Sequence, residues 1–207
     1  MNIESVARLD AGQRAQLSFR AVLQAMSFPG RIVTLPAACL DEGLTHGVAD
    51  APAPSPALAA VMLALLDRDT SVRLHGRLQH AALREWLRLH AGARMAQGAA
   101  DFEIVCADQL DALACAGFEA GSDVAPQTGA TLLIDVAGLD QPGATTLLLQ
   151  GPGVAATQAL RVKGITAGVW HWRLSLREQY PRGIEMLLLC GDRLAALPRS
   201  TRITVAG

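Results

Sequence analysis

The C-terminal part of the chain groups residue types that bind oxyanions. Proline, arginine, serine, threonine and a second arginine follow one another from Pro198 to Arg202. A guanidinium binds phosphate or carboxylate oxygens in a bidentate manner, and neighbouring hydroxyls donate further hydrogen bonds. The same residue types also form exposed turns with solvated arginines. Arg199 and Thr201 are therefore candidates for contact with an oxyanion or with a partner protein, and the turn without either role remains an alternative.

The glycine motif Gly151-Pro152-Gly153 is a second place where a phosphate could bind. A phosphate loop needs successive backbone N–H groups that point at the ligand, usually where a helix begins. Pro152 has no N–H group, and no Lys-Ser or Lys-Thr pair follows the motif. We therefore predict a tight turn between two strands. The chain also has no G-x-S-x-G motif, so the sequence does not indicate a serine hydrolase.

The cysteines and histidines do not follow a metal-binding pattern. No C-x-x-C pair occurs, and His75 and His80 are separated by Gly76, which predicts that they lie on different elements. Zinc needs several converging ligands, so we predict no metal site. The four cysteines are expected to be buried thiols without disulfides. They are Cys39, Cys106, Cys115 and Cys190.

Lys163 is the one lysine among 18 basic residues, and it is the single candidate for a Schiff base with pyridoxal phosphate. Such a lysine requires a shaped pocket, a cup for the phosphate and an acid or arginine near the ring nitrogen. The residues around Lys163 include none of these features. We therefore expect no cofactor.

The composition excludes two further classes of protein. The 18 basic and 19 acidic residues are dispersed and the aromatic content is 4%, which argues against a nucleic-acid surface. The longest apolar runs, such as Ala57–Leu66, are shorter than the ~20 residues of a membrane span. The first ten residues do not resemble a secretory signal. These observations predict a soluble, cytoplasmic protein.

The candidate residues named above must be positioned by the secondary structure around them. Helical segments alternate along the chain with fully apolar segments that are typical of buried strands, and this pattern predicts an α/β fold with a mixed sheet. Pro29-Gly30 is expected to end the first helix, with Gly30 at positive φ. The predicted helices are Gln13–Met26, Pro56–Leu66, Gln79–His90 and Asp108–Cys115. The predicted strands are Arg31–Leu35, Ser71–His75, Phe102–Cys106, Thr131–Val136, Thr145–Leu149, Ile184–Leu189 and Ile203–Val205.

Several segments, in order and with matching spacing, together resemble the PhnH family, a subunit family of the bacterial carbon–phosphorus lyase system. No single motif is specific, but the ordered combination is. The segments are Ser18-Phe19-Arg20, Ala25–Gly30, Ala125-Pro126, Gly129–Leu132, Gly151–Gly153, Tyr180–Glu185 and Leu197–Thr201.

The resemblance implies one domain over residues 1–207. Its implied fold is a three-layer α/β sandwich with a mixed β-sheet, similar to the large domain of pyridoxal-phosphate-dependent transferases but without the cofactor. It also implies a homodimer that assembles with three other subunits into a core complex. That complex takes part in converting an alkylphosphonate and ATP to a ribose 1-phosphonate triphosphate, before the C–P bond is broken. The radical iron–sulfur chemistry belongs to another subunit, and the family offers no catalytic residues to carry over.

The chain departs from the family pattern at a few positions. It has Tyr180 where phenylalanine is usual and Glu185 where aspartate is common, and both changes keep the chemical type. Residues 155–179 resemble the family poorly and are expected to contain a variable loop and a helix.

Two hypotheses about function remain open at this point. In the first, the chain is an accessory subunit that works through its surfaces, and Arg199 holds the geometry of a contact with a partner. In the second, it is an enzyme component with its own site for a phosphonate, a nucleotide or pyridoxal phosphate, and Arg199 binds an oxyanion.

Overall fold

The structure is a computed structural model that describes residues 9–40 and 53–206, and five α-helices and eleven β-strands lie within these ranges. The helices are α1 (Ala11–Ser27), α2 (Pro56–Leu65), α3 (Ala81–His90), α4 (Ala112–Ala116) and α5 (Ala167–Ser175). The first six strands are β1 (Val33–Thr34), β2 (Ser71–Leu74), β3 (Arg94–Met95), β4 (Phe102–Cys106), β5 (Thr131–Asp135) and β6 (Gly138–Leu139). The other five are β7 (Thr145–Gln150), β8 (Gln158–Lys163), β9 (Glu185–Cys190), β10 (Arg193–Leu197) and β11 (Arg202–Val205).

The larger sheet has seven strands in the order β1-β10-β9-β5-β4-β2-β3. The five strands from β9 to β3 are parallel, whereas β10 is antiparallel to both of its neighbours. Thr131 of β5 lies opposite Phe102 of β4 and Glu185 of β9, so these three strands begin at the same edge of the sheet. The fold is therefore mixed α/β with a large mixed sheet, as the apolar strand pattern predicts.

A second, antiparallel sheet has four strands in the order β11-β7-β8-β6. It was not expected from the sequence. Its three longer strands alternate between buried and less buried side chains, as in β8, where Leu160 and Val162 are buried and their neighbours are exposed. Such alternation is typical of a strand with one face in a core and the other in solvent.

Two hydrophobic cores lie on opposite faces of the larger sheet. Side chains alternate between the faces along each strand, so that Leu187 and Leu189 of β9 join one core while Met186 and Leu188 join the other. The first core contains buried side chains of α1, α2 and α3. The second contains side chains of α4, α5 and the four-stranded sheet. The four-stranded sheet thus covers one face of the larger sheet.

The beginning and end of α1 follow from local chemistry. The Asp10 side chain accepts a hydrogen bond from the Gln13 backbone N–H, and the Gln13 side chain accepts one from the Asp10 N–H, which forms a capping box. The helix ends at Ser27, immediately before Phe28-Pro29-Gly30. Gly30 has φ +82°, as predicted, and an added Cβ would overlap the Leu149 side chain. This turn therefore packs against β7 of the second sheet.

The helix predicted over Asp108–Cys115 is confirmed in its second half, but its predicted start is wrong. A short 3₁₀ turn covers Ala107–Gln109, and α4 begins only at Ala112. The reason is that Asp111, not Asp108, caps the helix by accepting a hydrogen bond from the Ala114 N–H at 2.8 Å.

Other predicted boundaries shift by a few residues. The strand predicted over Arg31–Leu35 shortens to β1, and the helix predicted over Gln79–His90 begins at Ala81. His80 caps that helix, because its Nδ1 accepts the Leu83 N–H at 3.2 Å. The predicted strand Phe102–Cys106 is confirmed residue for residue.

No helix within the described residues is long and apolar enough to cross a membrane. The N-terminal segment, on which the expectation of no secretory signal rests, lies largely outside the described residues.

Candidate functional site

Three turns around the four-stranded sheet line an open cavity of about 300 Å³, which we call the arginine cavity. The first turn joins β7 to β8, the second is the 3₁₀ turn after α5, and the third joins β10 to β11. The lining residues are Gly151, Pro152, Arg177, Tyr180, Arg199, Ser200, Thr201 and Arg202. The structure thus brings the Gly-Pro-Gly motif and the oxyanion candidates together.

Arg199 is held by groups of its own chain. Its backbone N–H donates to Glu185 Oε2 at 2.7 Å, and its Nε donates to Glu185 Oε1. Its Nη1 donates to the carbonyl of Pro126. Both side chains of the ion pair are 17% exposed. The carboxylate and carbonyl partners that the sequence suggested across a contact therefore lie within the chain, where they join the strand β9 to the turn before β11.

Arg173 supports the same turn from inside the protein and was missed by sequence reasoning. It lies on α5, is 2% exposed, and its Nη2 donates to the Pro198 carbonyl at 2.8 Å. Burial lowers the pKa of its guanidinium, and the charge of Glu185 opposes that shift. A signal existed, because Arg173 follows buried Val169 and Trp170 at helical spacing and so shares their buried face.

Thr201 occupies a different environment from Arg199. It is 3% exposed, and its backbone N–H donates to the Pro198 carbonyl at 2.9 Å. Its hydroxyl is buried and has no hydrogen-bond partner among the described residues. It is one of seven buried side-chain nitrogen and oxygen atoms without a hydrogen-bond partner among the described residues, and Thr201 is the one of these seven residues that lines the arginine cavity. Leaving a buried hydroxyl without a partner costs about 1–3 kcal/mol.

Two other arginines of the cavity, Arg177 and Arg202, are exposed and make no ion pair with any residue in the described ranges. Elsewhere some exposed arginines are paired, such as Arg161 with Asp140 and Arg77 with Asp108, whereas others, such as Arg20 and Arg84, make no ion pair with any described residue. The cavity therefore carries two guanidinium groups without a protein carboxylate, together with the hydroxyls of Ser200 and Thr201.

The Gly151-Pro152-Gly153 motif forms the predicted turn between β7 and β8. It also contacts the end of α1, because a Cβ at Gly153 would overlap the Ser27 carbonyl oxygen and lie 2.9 Å from Pro29 Cδ. Two segments that are far apart in the sequence, Ala25–Gly30 and Gly151–Gly153, are therefore in contact beside the four-stranded sheet.

A second buried ion pair joins β2 to β4. The fully buried Glu103 lies 3.3 Å from Arg73 Nη2, and its Oε2 lies 2.6 Å from His75 Nε2. The His75 ring packs edge-on against Phe118, with ring centroids 5.5 Å apart. This pair ties two parallel strands together.

The remaining candidates of the sequence are placed apart from this cavity. Lys163 is exposed at the end of β8 and does not line the cavity. His75 follows β2 and His80 caps α3, so they lie on different elements as predicted. Within the described ranges no group of three or more possible metal ligands converges.

The four cysteines are free thiols. Three of them are buried as predicted, whereas Cys190 is half-buried. Burial raises the pKa of Cys106 to about 11 and that of Cys115 to about 12. Both thiols therefore stay protonated near neutral pH and are poor nucleophiles.

Comparison with known proteins identifies relatives over almost the whole chain. A protein named as the C-P lyase subunit HtxG of Stutzerimonas stutzeri is 32% identical over 204 residues, which cover 99% of this chain and 93% of the relative. The alpha-D-ribose 1-methylphosphonate 5-triphosphate synthase subunit PhnH of Rhizobium meliloti (strain 1021) is 28% identical over 205 residues, covering 97% and 96%. The family model described as "Bacterial phosphonate metabolism protein (PhnH)" matches residues 8–204. The chain therefore belongs to the PhnH family.

Proposed function

We propose that this protein is an accessory subunit of a carbon–phosphorus lyase complex that breaks down alkylphosphonates. The observation that carries the proposal is the match to the PhnH family model over residues 8–204. The names of its relatives, a C-P lyase subunit and a subunit of a ribose methylphosphonate triphosphate synthase, point to the same complex. Its partners are the other subunits of that complex, with which it works in the cytoplasm.

The polar network of the turn from Pro198 to Thr201 fits an architectural role. The groups of this network hydrogen-bond to one another or to the turn itself, and these bonds fix the shape of the turn. They are Glu185, Arg199, Arg173 and the Pro126 carbonyl. Arg199 is then a positioning residue that holds the surface beside the arginine cavity, with Thr201 at its base. A partner subunit recognises this fixed surface.

The fold assignment of this proposal is a three-layer α/β sandwich similar to the large domain of pyridoxal-phosphate-dependent transferases. What supports it is the pair of cores on opposite faces of the seven-stranded sheet. Helices α1 to α3 form one outer layer, and the four-stranded sheet with α4 and α5 forms the other.

In the absence of partners the chain forms a homodimer. Support comes from exposed apolar side chains at one end of α1. Phe19 is 44% exposed, Leu23 one turn later is 49% exposed, and Phe28 just after the helix is 48% exposed. A second copy that packs on this surface removes it from water, and a C₂ dimer is the commonest closed arrangement.

Sedimentation at micromolar concentration is expected to give twice the chain mass of 21.8 kDa. Leu23→Glu is expected to shift the chain towards the monomer, because it puts a charge into an apolar contact. The control is Leu89→Glu, an exposed leucine on α3. A wild-type mass of one chain would contradict the homodimer.

The proposal as a whole is tested by purification of the tagged chain after co-expression with the other subunits of the complex. The other subunits are expected to elute with it in fixed proportion through a second, size-based column. Elution of the tagged chain alone would contradict an accessory role in that complex.

A further inference from the structure

We propose that the arginine cavity is a binding site for a small molecule that carries a tetrahedral phosphorus oxyanion, such as a phosphate or phosphonate group. Arg177 and Arg202 hold the anion, and the Thr201 hydroxyl donates a hydrogen bond to it. This site goes beyond the role of the chain as a subunit, because an accessory protein need not bind a ligand of its own.

Local charge is the first support for the site. Three arginines line one cavity, and only the charge of Arg199 is balanced, by Glu185. Glu178, which follows Arg177 in the chain, does not line the cavity. Two guanidiniums without a protein carboxylate therefore share one concave surface. Concentrating like charges in a cleft is unfavourable unless an anion occupies it, and guanidiniums match phosphate oxygens in a bidentate manner.

The Thr201 hydroxyl is a second and independent observation. This side chain is 3% exposed and lines the cavity, yet its oxygen has no hydrogen-bond partner within the described residues. Buried hydroxyls in folded proteins are nearly always paired. A phosphorus oxyanion in the cavity supplies the missing acceptor.

The wall of the cavity is built before a ligand arrives. The turn from Pro198 to Thr201 is fixed by Arg173 at the Pro198 carbonyl and by Glu185 at the Arg199 backbone. On the opposite side, Gly151 has φ +135°, and a Cβ there would lie 3.1 Å from the Ser200 carbonyl oxygen. A site that is already ordered loses little entropy when a ligand binds.

The size of the cavity limits the ligand. A volume of about 300 Å³ lies at the lower end of the range of small-molecule pockets, roughly 300–1,000 Å³. It accommodates one phosphate or phosphonate group with a modest substituent. An alkylphosphonate and the terminal phosphate of a nucleoside triphosphate share this chemistry, so they must be separated by experiment.

Calorimetric titration of the full-length chain tests the site with methylphosphonate, inorganic phosphate and ATP as separate probes, and with acetate as a planar control anion. Saturable binding of at least one phosphorus anion is expected, without binding of acetate. Tight binding of methylphosphonate identifies an alkylphosphonate site, and tight binding of ATP alone identifies a nucleotide site. No saturable binding of any phosphorus anion up to about 1 mM would overturn the proposal.

Two arginine variants locate the site. Arg177→Ala and Arg202→Ala are each expected to weaken binding about tenfold or more, the usual loss when a charged hydrogen-bonding group is removed. The matched control is Arg84→Ala, which removes the same charge from an exposed position on α3 outside the cavity. An equal loss in Arg84→Ala would show attraction by net charge alone and would overturn the site.

Thr201→Val separates ligand binding from structure. This variant removes the unpartnered hydroxyl and keeps the shape of the side chain, so the melting temperature is expected to stay the same or rise. Anion affinity is expected to fall severalfold. Unchanged affinity would remove Thr201 from the site.

The arginine variants also test whether the cavity binds a protein instead. If the wild-type chain binds no anion and the arginine variants no longer co-purify with the other subunits, the cavity is a docking surface for an acidic partner segment, which contradicts the small-molecule site.

Discussion

Replacing Glu185 with alanine is expected to lower the free energy of unfolding by about 3–5 kcal/mol, the usual cost of removing one partner of a buried ion pair. The carboxylate accepts hydrogen bonds from the backbone and side chain of Arg199 and faces the buried charge of Arg173. Without it, two guanidiniums remain in a largely buried region with no anion. For a chain of this length the melting temperature is expected to fall by roughly 10 °C.

Differential scanning calorimetry measures this effect, with Glu185→Asp as the control. Aspartate keeps the carboxylate on a shorter side chain, so a smaller loss than in Glu185→Ala is expected. If Glu185→Ala melts within about 2 °C of the wild type, the network does not hold the turn before β11 in place.

Replacing Gly153 with alanine is expected to cost about 2–4 kcal/mol, through two effects. Gly153 has φ +79°, a conformation that disfavours alanine, and the new Cβ would overlap the Ser27 carbonyl oxygen. Backbone cannot move aside as a flexible side chain can. The turn between β7 and β8 must therefore separate from the end of α1.

Gly143→Ala is the matched control for this variant. Gly143 has φ +73°, and an added Cβ there meets nothing within 4 Å. It therefore measures the conformational cost alone, about 1 kcal/mol. Chemical denaturation of both variants is expected to show the larger loss for Gly153→Ala. Equal losses would mean that the contact between the turn and α1 does not constrain the fold.

The sequence predicts best those helices and strands whose boundaries are set by neighbouring residues in the chain. The strand β4 is bounded correctly, although it contains the charged Glu103. The end of α1 lies one residue from the predicted one because Pro29-Gly30 follows it, whereas the helix begins two residues before the predicted start, at Ala11. The helix predicted from Asp108 fails because two aspartates, Asp108 and Asp111, are both suitable caps. Only the three-dimensional contacts decide between them.

The second sheet could not be predicted for a different reason. Its strand β8 has an alternating pattern in a region that resembles the family poorly, and β6 has only two residues. The strand β11 pairs with β7, with Arg202 opposite Gln150, so this part of the sheet depends on a contact between distant segments. The oxyanion candidates Arg199 and Thr201 were visible in the sequence, but the separate roles of a bonded Arg199 and an unpartnered Thr201 hydroxyl appear only in the fold.

The role of the chain in phosphonate breakdown is tested most directly by growth of its host bacterium after deletion of the gene. The deletion strain is expected to grow normally on inorganic phosphate and to fail on methylphosphonate as the sole source of phosphorus. The wild-type gene supplied in trans is expected to restore growth, and the gene for Glu185→Ala to restore it poorly. Growth of the deletion strain on methylphosphonate at the rate of its parent would contradict the proposed function.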